Sequence, residues 1–406
     1  MIIERKPPRY PRRGPSCLLV IFVIFGIAVS LYVIQNAEEV RNAIVPTPTA
    51  EPTRSATEFA VLAELSRDDG ANDEAIAFYD QAIQSDPSNP RFYIQLIDLL
   101  VRENESERAV ERAEQATVLD PENAEVWTAA AAAYLAEGDR LGDRGDDNAA
   151  NLQYANAAQA ARKAISIDPN NATALAYAAG GTVLQGDPEK YEQAQLFADD
   201  AVRIEPANPI ARYYMATVFT YQGLYTEAME QYMLGLEADP TDPDLHIGLA
   251  YNYYGTGSIS DALLSFEDAL AVDPDNAVAF DGRAYMYLQL GDTPLAEQNA
   301  LEATRLNPNM ARAQGRLGEA YFQQNNYNDA VEALEAAVTL YGRATDLNAR
   351  FFNMLATAYI RRDLNECPLA VPLFEQVLDA TTNELTVASA NEGLLECRRA
   401  TLGSDQ

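Results

Sequence analysis

An all-α solenoid of about nine helix pairs plus a C-terminal capping helix, preceded by one transmembrane helix, is the fold class that the sequence predicts. Three observations predict it. Pro206, Pro240, Pro274 and Pro308 stand 34 residues apart. Within each interval small and large residues recur at fixed places. One uncharged apolar run, residues 17–34, precedes the whole array.

A 34-residue unit holds two antiparallel helices, which cannot bury their apolar faces alone and so stack on their neighbours. Ala250, Ala284 and Gly318 occupy the eighth place of their units, and Ala228, Ala262, Ala296 and Ala330 the twentieth. A methyl group or hydrogen there lets two helices approach closely. Leu249, Tyr253 and Phe266 show the large residues that fill the gaps around them. Each proline ends a second helix, because it lacks an N–H and its ring clashes with the preceding turn. Asn89, Asn123, Asn171, Asn208, Asp242 and Asn276 follow two residues later, where a side-chain oxygen caps the next helix, and Met310 takes that place once. This pattern resembles the tetratricopeptide repeat (TPR) family across most of the chain. The resemblance implies a right-handed solenoid whose first helices line a concave face on which partners dock.

The chain has 406 residues and a net charge of −32, from 29 Lys and Arg against 61 Asp and Glu. A field of that sign repels nucleic acid, so no nucleic-acid partner is expected. Residues 1–16 read as a basic cytoplasmic tail carrying Arg5, Lys6, Arg9, Arg12 and Arg13. Residues 17–34 read as a transmembrane helix, since 18 residues rise about 27 Å. Arginines on its N-terminal side orient it under the positive-inside rule. The chain is then a single-pass protein of the cell membrane, N-terminus cytoplasmic and solenoid extracytoplasmic, of bacterial envelope type. A cleaved signal peptide ending near Ala28-Val29-Ser30 is the rival reading. Residues 35–54, with Pro46, Pro48 and Pro52 among threonines, read as a Pro/Thr-rich linker. Residues 55–382 form the solenoid, and 383–406 the capping helix and tail. The third unit is 48 residues long, with 14 extra around GDRLGDRGDDN. The ninth drifts from the pattern.

Chemistry is scarce. His246 is the sole histidine and sits where TPR repeats carry a packing residue. Neither a nucleophile elbow nor a phosphate-cradling glycine loop is present, so no catalytic residue, cofactor or metal site is expected. Asp139, Asp143, Asp146 and Asp147 read as a solvated acidic loop, with calcium binding as the alternative; their spacing does not match an EF-hand. Cys367 and Cys397 are a candidate disulfide. Carrying the family's groove positions onto this chain places Tyr213, Tyr221, Tyr251, Tyr254, Tyr285 and Phe322 on the concave face, beside Asp281, Arg312 and Glu319. Tyrosine gives broad, rigid contact area with a hydroxyl, which suits binding. Packing between neighbouring first helices is the competing use of the same rings. The function expected is a scaffold or adaptor that grips a protein or peptide partner in the groove. The alternative is carbohydrate binding, with tyrosines stacked on sugar rings of cell-wall polymer.

Overall fold

The computed structural model describes residues 17–35 and 54–403. Among the described residues it holds 20 α-helices and no strands. The first, α1, runs Cys17–Gln35. The array then proceeds as pairs: α2 (Ala56–Asp68) with α3 (Asn72–Ser85), α4 (Pro90–Arg102) with α5 (Ser106–Leu119), and α6 (Ala124–Asp143) with α7 (Asp147–Ile167). Next come α8 (Ala172–Val183) with α9 (Tyr191–Ile204), α10 (Pro209–Tyr221) with α11 (Tyr225–Ala238), and α12 (Pro243–Gly255) with α13 (Ile259–Val272). The last pairs are α14 (Ala277–Leu290) with α15 (Thr293–Leu306), α16 (Ala311–Gln323) with α17 (Tyr327–Tyr341), and α18 (Ala349–Arg362) with α19 (Cys367–Ala380). The final helix, α20 (Glu384–Gly403), lies against α18 and α19.

Local chemistry sets these boundaries. The side chains of Asn89, Asn123, Asn171, Asn208, Asp242 and Asn276 each accept a backbone N–H of the first helical turn. Met310 gives α16 no such cap. The turn inside a pair needs a left-handed residue. Gly70, Gly145, Gly186, Gly223, Gly257 and Gly291 supply it, and Asn104 and Asn325 take its place in two pairs, Asn being among the few residues that tolerate this backbone. The alanines at the eighth and twentieth places have no exposed surface. At Gly318 a β-carbon would lie 2.4 Å from Leu334 Cγ, so the small residue there is a packing requirement.

One recurring contact explains the lone histidine. The fourth residue of a unit reaches back six residues to the carbonyl of the helix-ending proline. Trp127 Nε1 donates to Pro121 O at 2.8 Å, Arg212 Nε to Pro206 O at 2.9 Å, and His246 Nε2 lies 3.3 Å from Pro240 O. His246 thus occupies a structural place that other donors fill elsewhere.

The apolar run forms α1, but the transmembrane reading of residues 17–34 does not stand. Among the described residues no helix is long and apolar enough to cross a membrane. The single-pass, extracytoplasmic placement falls with it, as does the membrane as a partner. The margin was thin from the outset: a run of about 27 Å falls short of a hydrocarbon core of about 30 Å. The tail over 1–16 and most of the linker over 35–54 lie outside the described residues.

Cys367, the first residue of α19, is bonded to Cys397 of α20 at 2.04 Å, closing 30 residues. Replacing both by serine is expected to lower the stability of this end by about 3–4 kcal/mol on the chain-entropy account. Limited proteolysis of both forms checks it: faster cleavage confined to α18–α20 is the expected result, and equal rates refute it.

Candidate protein-binding groove

The first helices of successive pairs (α4, α6, α8 and onward) touch along one side of the stack through a repeated offset. Residues 31 apart, one unit less one helical turn, meet across adjacent first helices. Gln95 donates to Glu64 at 2.9 Å and Arg312 Nε to Asp281 Oδ2 at 2.8 Å; the same offset joins Ser106, the first residue of the second helix α5, to Glu137 of α6 at 2.9 Å. The hydroxyls of Tyr254 and Tyr285 stand 3.0 Å apart by the same offset.

All six predicted groove residues sit on first helices, α10, α12, α14 and α16. Tyr221 is 40% exposed, and the other five are half-buried. Each also has a packing partner. Tyr213 meets Tyr214 and Tyr232 edge-on at 4.9 and 5.9 Å, and Tyr251 meets Phe266 at 5.2 Å. Tyr221 lies edge-on to Tyr191 at 6.0 Å and Phe322 to Tyr327 at 5.7 Å. Each ring therefore packs against protein on at least one side, and Tyr221 keeps the most solvent exposure of the six. Burial pushes the phenols of Tyr213 and Tyr251 up, so both stay protonated donors.

A charged network lies beside the tyrosines. Asp281 is fully buried and takes Arg312 and Arg316 on its carboxylate; Arg316 Nη1 also donates to Asp281 O at 2.7 Å. The Arg316 guanidinium lies 4.5 Å from the centre of the Tyr285 ring, a cation–π contact. Burial works against the Arg312 charge, but the carboxylates of Asp143 and Asp281 outweigh it and hold it protonated.

Asp143 belongs to the acidic loop, and its position corrects the sequence reading. Asp139, Asp146 and Asp147 are exposed, as a solvated loop requires, but Asp143 is half-buried. The 14 extra residues lengthen α6 and α7 to 20 and 21 residues, against 12 to 15 elsewhere in the first eight pairs. The tip of this hairpin meets the eighth pair: Arg312 Nη1 donates to Asp143 Oδ1 across 169 residues of chain. Gly145, at φ +79°, lies so close to Tyr341 that a β-carbon would come within 2.3 Å of its ring. Along the hairpin, the Tyr154 hydroxyl donates to Asp139 Oδ1 at 2.8 Å. Asp139 keeps solvent contact but has protein around it; that burial, with Asp143 and Asp244 nearby, pushes its carboxyl up to about 7, against the Tyr154 hydrogen bond and Arg312. Among the described residues no group of three or more His, Cys, Asp or Glu is arranged to hold a metal ion.

Two family models, both described as tetratricopeptide repeat, match residues 66–133 and residues 247–302 and 282–345. The chain thus carries tetratricopeptide repeats in an all-helical solenoid. Protein CTR9 homolog of Arabidopsis thaliana is 26% identical over 277 residues, 67% of this chain and 24% of that protein. A DnaJ homolog subfamily C member 7 homolog of Dictyostelium discoideum is 24% identical over 168 residues, 37% of this chain and 31% of that protein. The chain therefore spans about a quarter to a third of the length of these curated relatives. Among solved structures, a human IFIT1 dimer with m7Gppp-AAAA aligns with a TM-score of 0.61 at 17% identity, over 88% of this chain and 92% of that one. The APC/C hetero-tetramer Cut9-Hcn1 aligns with a TM-score of 0.50 at 16% identity, over 91% and 81%. At such identities the likeness is one of fold.

Proposed function

We propose that this chain is a scaffold or adaptor that holds a protein partner against its concave face. The observation that supports the reading best is the run of tyrosines on consecutive first helices, Tyr213, Tyr221, Tyr251, Tyr254 and Tyr285, none of them fully buried. Tetratricopeptide-repeat relatives support a protein-interaction role, and scaffolds built of such repeats are generally not enzymes. The negative field favours a partner with a basic segment over a polyanion. The sugar-binding alternative has less in its favour. The groove rings already have edge-on aromatic partners, as Tyr254 has in Tyr285 and Tyr213 in Tyr214, and the sole tryptophan, Trp127, has its N–H engaged by Pro121.

The test compares the full chain with a Tyr221→Ala, Tyr254→Ala variant as bait for proteins of its own cell. These two are chosen because neither ring lies in the buried core. Capture that is lost by at least about tenfold in the variant, equivalent to about 1.4 kcal/mol, with the helical circular dichroism unchanged, is the expected result. Equal capture by both forms would move the interaction off the groove.

A further inference from the structure

We propose that the α6–α7 hairpin is a strap that closes the solenoid on itself, with Arg312 as its latch and the ring of Tyr341 as its seat. The geometry has four parts. Each helix of the hairpin exceeds its counterparts by about six or seven residues, which at 1.5 Å per residue carries the tip roughly 10 Å past the turns of neighbouring pairs. Asp143, the last residue of α6, reaches the guanidinium of Arg312 in the first turn of α16, with side-chain exposures of only 19% and 31%. Arg312 is held independently by Asp281 of the adjacent helix, so it waits in place whether Asp143 is bound or not. Gly145, at the tip, rests on Tyr341, the last residue of α17.

The shaft of the hairpin is far more firmly built than its tip contact. At Gly138 a β-carbon would meet the Tyr154 ring at 2.4 Å, and at Gly181 of α8 it would meet the Ala158 backbone N of α7 at 2.6 Å. These close approaches bind α6, α7 and α8 into one packed body. The tip holds the eighth pair through one ion pair and one backbone-on-ring contact. The strap is therefore built to release as a unit at its tip, without unfolding. Release widens the concave space, and closure fixes its width.

Two variants of the full chain separate the parts. Asp143→Asn removes the charge from the latch at nearly constant shape. Gly145→Asn keeps a residue that tolerates the left-handed backbone, the one found at the same turn as Asn104 and Asn325, yet sets a β-carbon against Tyr341. In both, amide hydrogen exchange over residues 139–147 is expected to quicken by about tenfold, the signature of local opening. Small-angle scattering is expected to show a larger radius of gyration with unchanged circular dichroism. In the Gly145→Asn, Tyr341→Ala double variant, removal of the ring is expected to restore part of the compactness. Exchange rates and scattering profiles that superimpose on the parent in both single variants would overturn the strap. So would faster exchange spread evenly through α6, α7 and α8, because the hairpin would then be melting rather than releasing.

Discussion

Asp281→Ala is expected to destabilise the solenoid by about 3–5 kcal/mol, the range for removing one partner of a buried ion pair. Asp281 has no exposed surface, and two guanidiniums converge on its carboxylate. The attraction between such groups roughly repays their desolvation while both signs are present. Remove the carboxylate and the debt remains: Arg316, only 9% exposed, keeps a backbone carbonyl and the Tyr285 ring but loses its counter-ion. Arg312 keeps Asp143 alone. Urea unfolding followed by circular dichroism measures the change. A useful comparison is Asp98→Ala, whose partner Arg102 lies on an exposed helix face; that change is expected to cost about 0–1 kcal/mol. Equal midpoints for the two variants would show that the Asp281 network is screened by water.

Phe266→Ala is expected to cost about 3–5 kcal/mol through the cavity it leaves. The Phe266 ring is fully buried and fills the space over Gly282, where a β-carbon would stand 2.3 Å away. It also carries the edge contact with Tyr251. The reciprocal change, Gly282→Ala, is expected to destabilise by overpacking, about 1–3 kcal/mol. The two effects belong to one volume and so are not additive. In the double variant the new methyl enters space that the ring has left, and the loss is expected to be smaller than the sum. A strictly additive double-mutant cycle in thermal unfolding would show that the two residues do not share that space.

Much of this architecture was legible in the chain. The helix starts, the small residues at the eighth and twentieth places and the proline stops are local rules, each settled within one or two units. That the six aromatic residues lie on first helices was legible too, because it follows from their places in the repeat. What those residues touch was not. Tyr213 meets Tyr214 and Tyr232 through side-chain directions that the repeat pattern does not encode. The left-handed turns at Gly70, Gly145 and Gly223 were legible in principle, since a glycine or asparagine stands at the turn in each of the first eight pairs. Asp143, the one member of the acidic loop that is not exposed, was misread for a different reason. Whether Asp143 meets Arg312 depends on the rotation accumulated over four intervening pairs, a sum of small angles with no local sequence signal. The transmembrane reading failed on a length at the margin, where hydropathy alone does not decide.

The contact between the third and eighth pairs also changes how the array should come apart. In an open stack each unit knows only its neighbours, so unfolding fronts start at the ends and advance one unit at a time. A tie between residues 169 apart makes the four pairs between them into the arc of a ring. Fraying from α2 or α20 can proceed as in any open stack, but it meets a block when it reaches the tie, since the pairs between Asp143 and Arg312 are held at both ends. The middle of the chain would then melt as a single cooperative body with a softer segment on either side. The tie, once formed, is long-range, so its formation should be the slow and late event of folding.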